Sequence, residues 1–293
     1  MNYVVPFPAG GTTDILGRLI GQKLGPALDT TIVIDNRGGA GGSVGSEIAA
    51  RAPADGYTML GGTISSHAIN VSLYPKLGYD PIKSFSPVAL IGSNPVVLIV
   101  KADSPYKTLQ DILQAAKAKP RTLSSASAGN GTSQHMTLEL LAFKPGTQFI
   151  HVPYKGSGPA IQDVIGGQVD MMFDTTVVAG PHIQSGKLRA IAVSSAKRME
   201  SLPNVPTIAE SDLPGFEVVS WQGIFVPAGV PRPIINRLHA EIMKILQTSE
   251  MQDRLKTLGM QSSSMTPEQV ATFQKAEVEK WAKVIKAAGI KLE

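Results

Sequence analysis

Two stretches of this chain place glycines and hydroxyls where an anion could be held without a cation. The first is Val5-Pro6-Phe7-Pro8-Ala9-Gly10-Gly11-Thr12-Thr13-Asp14 and the second is Ser127-Ala128-Gly129-Asn130-Gly131-Thr132. In each, a short strand-like run gives way to a glycine loop, then to threonine. Apolar residues at helical spacing follow: Ile15, Leu16, Leu19, Ile20 and Leu24 in the first case, Met136, Leu140 and Leu141 in the second. This order predicts strand, loop and helix start, with Thr12 or Thr13 and then Thr132 as N-caps. A helix start carries backbone N–H groups with no partner inside the helix, together with the positive end of the peptide dipole. The chemistry expected is capture of an anion by neutral donors, its size matched to the loop, since neither loop contains Lys or Arg. The alternative is two tight turns whose glycines only permit unusual backbone angles. A turn recurring by chance would not need the same hydroxyl at the same helix position. The ligand reading requires Gly11 and Gly131 to keep their amides free.

Other residues could join such a site. Thr63-Ile64-Ser65-Ser66-His67 is a hydroxyl-rich strand end. His67 reads as a surface or capping residue, because no second ligand sits at metal-binding spacing. Tyr154 could lie over a ligand or simply pack, and Lys155 could add charge or be solvated. Asp174 ends a strand, Val169 to Phe173. It could accept a ligand ammonium or hydroxyl, or cap the following helix. Gly39, Gly41 and Gly45 give G-x-G-x-x-x-G, one residue longer than the dinucleotide fingerprint and separated from its strand, so nucleotide binding is discounted. No G-x-S-x-G, H-E-x-x-H or P-loop lysine motif is present.

The elements that must position these residues alternate between strand and helix along 293 residues, enough for two domains. Strands are expected at Thr31 to Asp35, Tyr57 to Gly62, Thr122 to Ala126, Phe149 to Pro153, Leu188 to Val193 and Val218 to Pro227. Phe85 to Lys101 reads as a strand pair split at Gly92-Ser93-Asn94. Helices are expected at Ser43 to Arg51, from Pro231, at Glu250 to Leu258, and at Pro267 to Ala288, where Thr266 and Gln269 form a capping box. The chain leaves its first domain near residue 100 and returns near 220. Domain 1 is therefore 1–100 plus 220–293 and domain 2 is 101–219, with two crossing segments as a hinge and the ligand cleft between domains.

Composition narrows the partners. Net charge is +4 with no basic block, which argues against nucleic acid. There is no cysteine, which excludes disulfides and thiolate metal sites. No apolar run approaches the roughly 18 residues of a membrane span. The chain opens almost inside its first strand, so an export signal is expected to have been removed. No metal or other cofactor is expected, and nothing points to an oligomer, so a monomer is the expectation.

Jointly, several motifs resemble one family across essentially the whole chain. They are Val5 to Asp14, Asp35-Asn36-Arg37-Gly38-Gly39-Ala40-Gly41-Gly42, Ala52-Pro53-Ala54-Asp55-Gly56-Tyr57-Thr58, Gly129 to His135, Val152-Pro153-Tyr154-Lys155-Gly156 and Trp221-Gln222-Gly223. The resemblance is to the Bug receptors, extracytoplasmic solute receptors of tripartite tricarboxylate transporters. It implies an α/β, two-domain periplasmic binding protein of type II-like fold, each domain a mixed β-sheet flanked by helices. It implies that the protein closes around a small carboxylate, partly through ordered water, and delivers it to membrane permease subunits. Carried onto this chain, it places Phe7, Ala9, Gly10, Gly11 and Thr12 on one jaw and Gly129, Gly131, Thr132 and His135 on the other. Ser65, Ser66, Tyr154 and Asp174 line the remainder. Amino acids, di- or tricarboxylates and aromatic acids all remain open as ligands. The competing classes are a sensing module that signals to a kinase, and an enzyme using His135 and Asp174 as acid and base.

Overall fold

The computed structural model describes residues 1–143, 147–211 and 213–292. Tyr3, Val4 and Val5 are buried, and their run forms strand β1, Asn2–Val5. It lies between β2, Val33–Asn36, and β3, Thr58–Thr63, parallel to both. Strands buried on both faces read as continuous apolar runs, and this is why the opening residues carry so little alternation. Helix α1, Thr12–Ala27, follows β1, and helix α2, Ser43–Ala50, follows β2. A π-turn over Ser65–Ile69 and the short helix α3, Asn70–Leu73, follow β3.

Strand β4 runs from Phe85 to Lys101 without interruption. The expected strand pair is thus one strand of 17 residues. Gly92 and Ser93 do not turn, because they pair with β10, Gln261–Ser262. A Cβ at Gly92 would lie 2.3 Å from the Gln261 carbonyl oxygen, so only glycine allows that approach.

The chain divides into two compact units. Unit 1 comprises Met1–Ser93, Trp221–Leu255 and Gln261–Glu293, and unit 2 comprises Asn94–Ser220 and Lys256–Met260. The short excursion Lys256–Met260 was not read from the sequence. Thr176 Oγ1 donates to the Leu258 carbonyl at 3.0 Å and fixes it in unit 2.

In unit 1 the strand order is β2-β1-β3-β9-β4, where β9 is Val219–Pro227 and runs antiparallel to β3. Helix α8, Arg232–Gln247, packs on α1, and α9, Ser249–Thr257, follows it. Helix α10, Pro267–Ala288, packs on α3 and the π-turn, and opens with the expected Thr266–Gln269 capping box. Trp221 is buried and donates Nε1–H to Glu277 Oε2 of α10 at 3.1 Å. Gly61 of β3 has Tyr3 and Thr13 against it: a Cβ there would meet Thr13 Cγ2 at 2.5 Å and the Tyr3 ring at 3.1 Å. Its missing side chain lets the first turn of α1 lie on the sheet.

In unit 2 the distal half of β4 pairs antiparallel with β7, Met171–Thr175, and with β8, Leu188–Val193. Strand β5, Ser124–Ser127, is parallel to β7 and to β6, Ile150–Pro153. Helices α4, Leu109–Ala118, α5, Ser133–Phe143, α6, Ser157–Gly166, and α7, Thr176–Gln184, complete it. Among the described residues no helix is long and apolar enough to cross a membrane.

Candidate functional site

The loop between β1 and α1 is built by residues that follow it. Asp14 Oδ2 accepts the Gly10 N–H at 3.0 Å, and Asn36 Nδ2 donates to Asp14 Oδ1 and to the Phe7 carbonyl, each at 3.0 Å. Arg18 forks onto the same carboxylate at 3.1 and 2.9 Å. Burial works against the Asp14 charge, but Arg18, the Gly10 amide and Asn36 outweigh it and hold the carboxyl below the usual carboxylate range. The loop is therefore stitched from β2 and from the first two turns of α1.

Gly11 is the N-cap of α1, in extended conformation, and no side chain caps the helix. This corrects the expectation that Thr12 or Thr13 caps it. Both lie inside the first turn, and Thr13 Oγ1 instead donates to Gln222 Oε1 of β9 at 2.9 Å. The Gly10 amide is taken by Asp14, so it is not the free donor expected. The Gly11 amide has no acceptor among the described residues. Ala9 and Gly10 are exposed, while Gly11 and Thr12 are buried.

Phe7 meets the hydroxyl-rich end of β3. A Cβ at Gly42, which has φ +91°, would lie 3.0 Å from Phe7 Cζ and 3.5 Å from Ser66 Cβ. Phe7, Gly42 and Ser66 thus converge in unit 1. Ser66 Oγ accepts from the Thr63 amide at 3.1 Å and lies 2.9 Å from His67 Nδ1, so this hydroxyl shapes the turn. Ser65 is buried beside it. The placement of His67 is corrected: it is neither a surface nor a capping residue. It is fully buried, with Phe225 and Phe85 at ring distances of 4.1 and 4.9 Å. Burial pushes its pKa down to about 3, so the ring is neutral.

In unit 2 the loop after β5 is equally constrained. Thr132 Oγ1 donates to the Gly129 carbonyl at 2.7 Å and accepts the His135 N–H at 3.4 Å, the cap expected of it. Ser127 Oγ accepts the Gly129 N–H at 3.1 Å and lies 2.7 Å from His151 Nε2. The Gly131 amide donates to His135 Nδ1 at 3.2 Å. The requirement of a free amide fails at this position, so in this conformation only the Gly11 loop meets the condition set for the ligand reading. Its partner is a side chain rather than the backbone, and it sits one helical turn on.

Asp174, at the end of β7, is fully buried. Its Oδ1 accepts from Thr175 N at 2.8 Å, Ser157 Oγ at 2.9 Å and Gln134 Nε2 at 3.2 Å. It thereby joins the starts of α5 and α6. Its Oδ2 is buried without a partner among the described residues. Burial raises the carboxyl to about 6 against those three donors. Tyr154 donates its hydroxyl to Asp163 Oδ2 at 2.6 Å, which leaves its ring and the acceptor side of its oxygen for a ligand. Among the described residues no group of three or more His, Cys, Asp or Glu could hold a metal.

A search for relatives matches residues 16–290 to the family model of the tripartite tricarboxylate transporter family receptor, TctC. The chain belongs to this family. Among solved structures it is similar to the periplasmic binding protein BugD, at 37% identity and a TM-score of 0.96, covering 100% of this chain and 98% of that one. Rpa4515 of R. palustris, solved with adipate, is 36% identical with a TM-score of 0.96, over 99% of this chain and 97% of that one. MatC of Rhodopseudomonas palustris, with bound malate, is 36% identical with a TM-score of 0.93, over 97% and 98% respectively.

The resemblance to Bug receptors and the α/β periplasmic binding protein fold are thereby established. The family is one of receptors, not of enzymes. Sequence reasoning on this receptor found the two loops but missed the groups that hold them: Asn36, Arg18 and Gln222 in unit 1, and Gln134, Ser157 and His151 in unit 2. Asn36, Gln222 and Gln134 lie inside the motifs named above, and a polar residue at a strand end or helix start was the signal available.

Proposed function

We propose that this receptor captures a small organic acid in the periplasm and delivers it to the permease subunits of a tripartite tricarboxylate transporter. The observation that carries the reading is the Gly11 amide, left without an acceptor at an uncapped helix start. A carboxylate oxygen is the natural partner for such a donor, and a hydrogen bond to a charged group contributes about 1.5–3 kcal/mol. Adipate in Rpa4515 and malate in MatC support a dicarboxylate as the first class to test. Phe7, Ala9, Gly10, Thr12, Ser65 and Ser66 shape the unit 1 side of the proposed site. Gly129, Gly131, Thr132, His135, Tyr154 and Asp174 shape the unit 2 side. Capture by closure of two units about their crossing segments is part of the same proposal.

A second ligand class has its own observation. Among the described residues, Asp174 Oδ2 is a buried acceptor with nothing to accept. A ligand ammonium or hydroxyl would supply the missing donor, which favours amino acids and hydroxy acids over plain diacids. Calorimetric titration with mono-, di- and tricarboxylates, amino acids and aromatic acids tests both. At least one acid binds with a micromolar or tighter dissociation constant if the proposal holds. If none does, the transport reading fails. If an acid binds but a strain lacking the receptor still takes it up normally, delivery to a permease fails and sensing becomes the better account.

A further inference from the structure

The Gly131 amide and His135 are arranged so that one of them must yield before an anion can use the other. Gly131 N–H donates to His135 Nδ1 at 3.2 Å, an arrangement in which that nitrogen acts as the acceptor. We propose that His135 is the positioning residue that decides whether the Gly131 amide is available to a ligand, so that carboxylate binding at this loop takes up a proton. The inference rests on the carboxylate reading of the loop given above.

The argument is one of donors and acceptors. Protonation puts a hydrogen on Nδ1, which then faces the Gly131 N–H donor to donor. The amide is displaced, and two donors converge on a gap that only an acceptor relieves. A carboxylate oxygen fills that role, because it accepts several hydrogen bonds and is opposite in charge to the imidazolium. The proton comes from solvent, and no bond other than hydrogen bonds is made or broken.

The surroundings favour a single charge at this place. On its own helix, His135 has Glu139, whose Oε1 lies 3.6 Å from Nε2. From β6, His151 stacks on it at 4.1 Å between centroids, with planes 16° apart. From β5 the Ser127 hydroxyl, which is not titratable, lies on His151 Nε2, and the Asp174 carboxyl at the end of β7 is bound by the neighbouring Gln134. Two stacked imidazoles do not both ionise. Burial, to which His135 adds when protonated and which Glu139 partly offsets, pushes His151 down to about 4. His151 therefore stays neutral, and Glu139, held below its usual range chiefly by the His135 hydrogen bond, remains an anion. The acid and the proton are thus linked. Whatever factor the carboxylate gains from protonation of His135, the proton gains from the carboxylate.

The test is calorimetry with adipate and with malate between pH 5.5 and 8. Each titration is run in two buffers of different ionisation enthalpy, which counts protons taken up on binding. The expected result is net uptake approaching one proton and a dissociation constant that falls by up to about tenfold per pH unit on acidification. His135→Asn keeps an acceptor near the Nδ1 position but does not titrate, and it is expected to lose the His135 share of the pH dependence, keeping only what the Asp174 carboxyl, raised to about 6, contributes at the acid end. Nitrogen NMR of the unliganded wild-type receptor reports the same event without a variant, as a Gly131 amide shift that follows the imidazole titration. Binding without proton uptake, or a proton uptake and pH dependence undiminished in His135→Asn, overturns the inference and leaves the carboxylate reading intact. Failure of both probes to bind at any pH overturns both.

Discussion

At the scale of single residues, the two loops owe their shape to side chains that never need to touch a ligand. Asn36 makes two hydrogen bonds with one amide nitrogen, to the Phe7 carbonyl and to Asp14. Asn36→Ala is expected to weaken acid binding about tenfold, while costing about 1–2 kcal/mol of stability in a denaturant titration. An unchanged dissociation constant would show that the loop holds itself. Asp174 makes a prediction with a definite sign. Its carboxyl is raised to about 6, so the folded protein binds this proton more tightly than the unfolded chain does. Its penalty is full above pH 6 and is relieved as the pH falls from 6 toward 4. Asp174→Asn removes the charge and should raise stability at pH 8, on the order of 2–3 kcal/mol, with the gain fading near pH 4. A gain independent of pH would contradict it. What was legible here was the loop and its hydroxyl. The amide partners were not, because Asp14 reaching back to Gly10 and His135 reaching back to Gly131 depend on rotamers that spacing alone does not specify. His67 was misread for a related reason: its partners Phe85 and Phe225 are distant in sequence, so nothing local marked it as a core residue.

At the scale of elements, the placement of α1 matters most. Its first turn is fastened to β9 by Thr13 and Gln222 and lies close to β3 only because Gly61 lacks a side chain. Gly61→Ala puts a methyl group within 2.5 Å of Thr13 Cγ2. The expected cost is about 1–3 kcal/mol, with a weaker ligand affinity in the folded fraction, read by thermal unfolding and calorimetry on the same sample. If stability falls while affinity holds, the helix start is not part of the site. Element type and order were readable from period and punctuation: β8 and α10 occupy the segments expected, and Thr132 caps as its position suggested. The single strand β4 was not readable. Gly92-Ser93-Asn94 has the composition of a turn, and it stays extended because β10, some 170 positions later, pairs with it.

At the scale of the whole molecule, the receptor family model matches residues 16–290, and each unit carries one hydroxyl-bearing glycine loop at a helix start. Fold class was legible because strand and helix signals alternate throughout. The excursion Lys256–Met260 was not, since five residues carry no period. A ligand that binds only the folded receptor must stabilise it. At one hundred times its dissociation constant an acid is expected to add about 2.7 kcal/mol, visible as a rise of several degrees in the melting temperature. The central claim, that an acid group is held by a bare helix-start amide, is tested most directly by a crystal structure of the receptor with adipate or malate bound. The account predicts a carboxylate oxygen within hydrogen-bond distance of the Gly11 nitrogen. A bound acid that leaves the Gly11 amide without it would contradict the account.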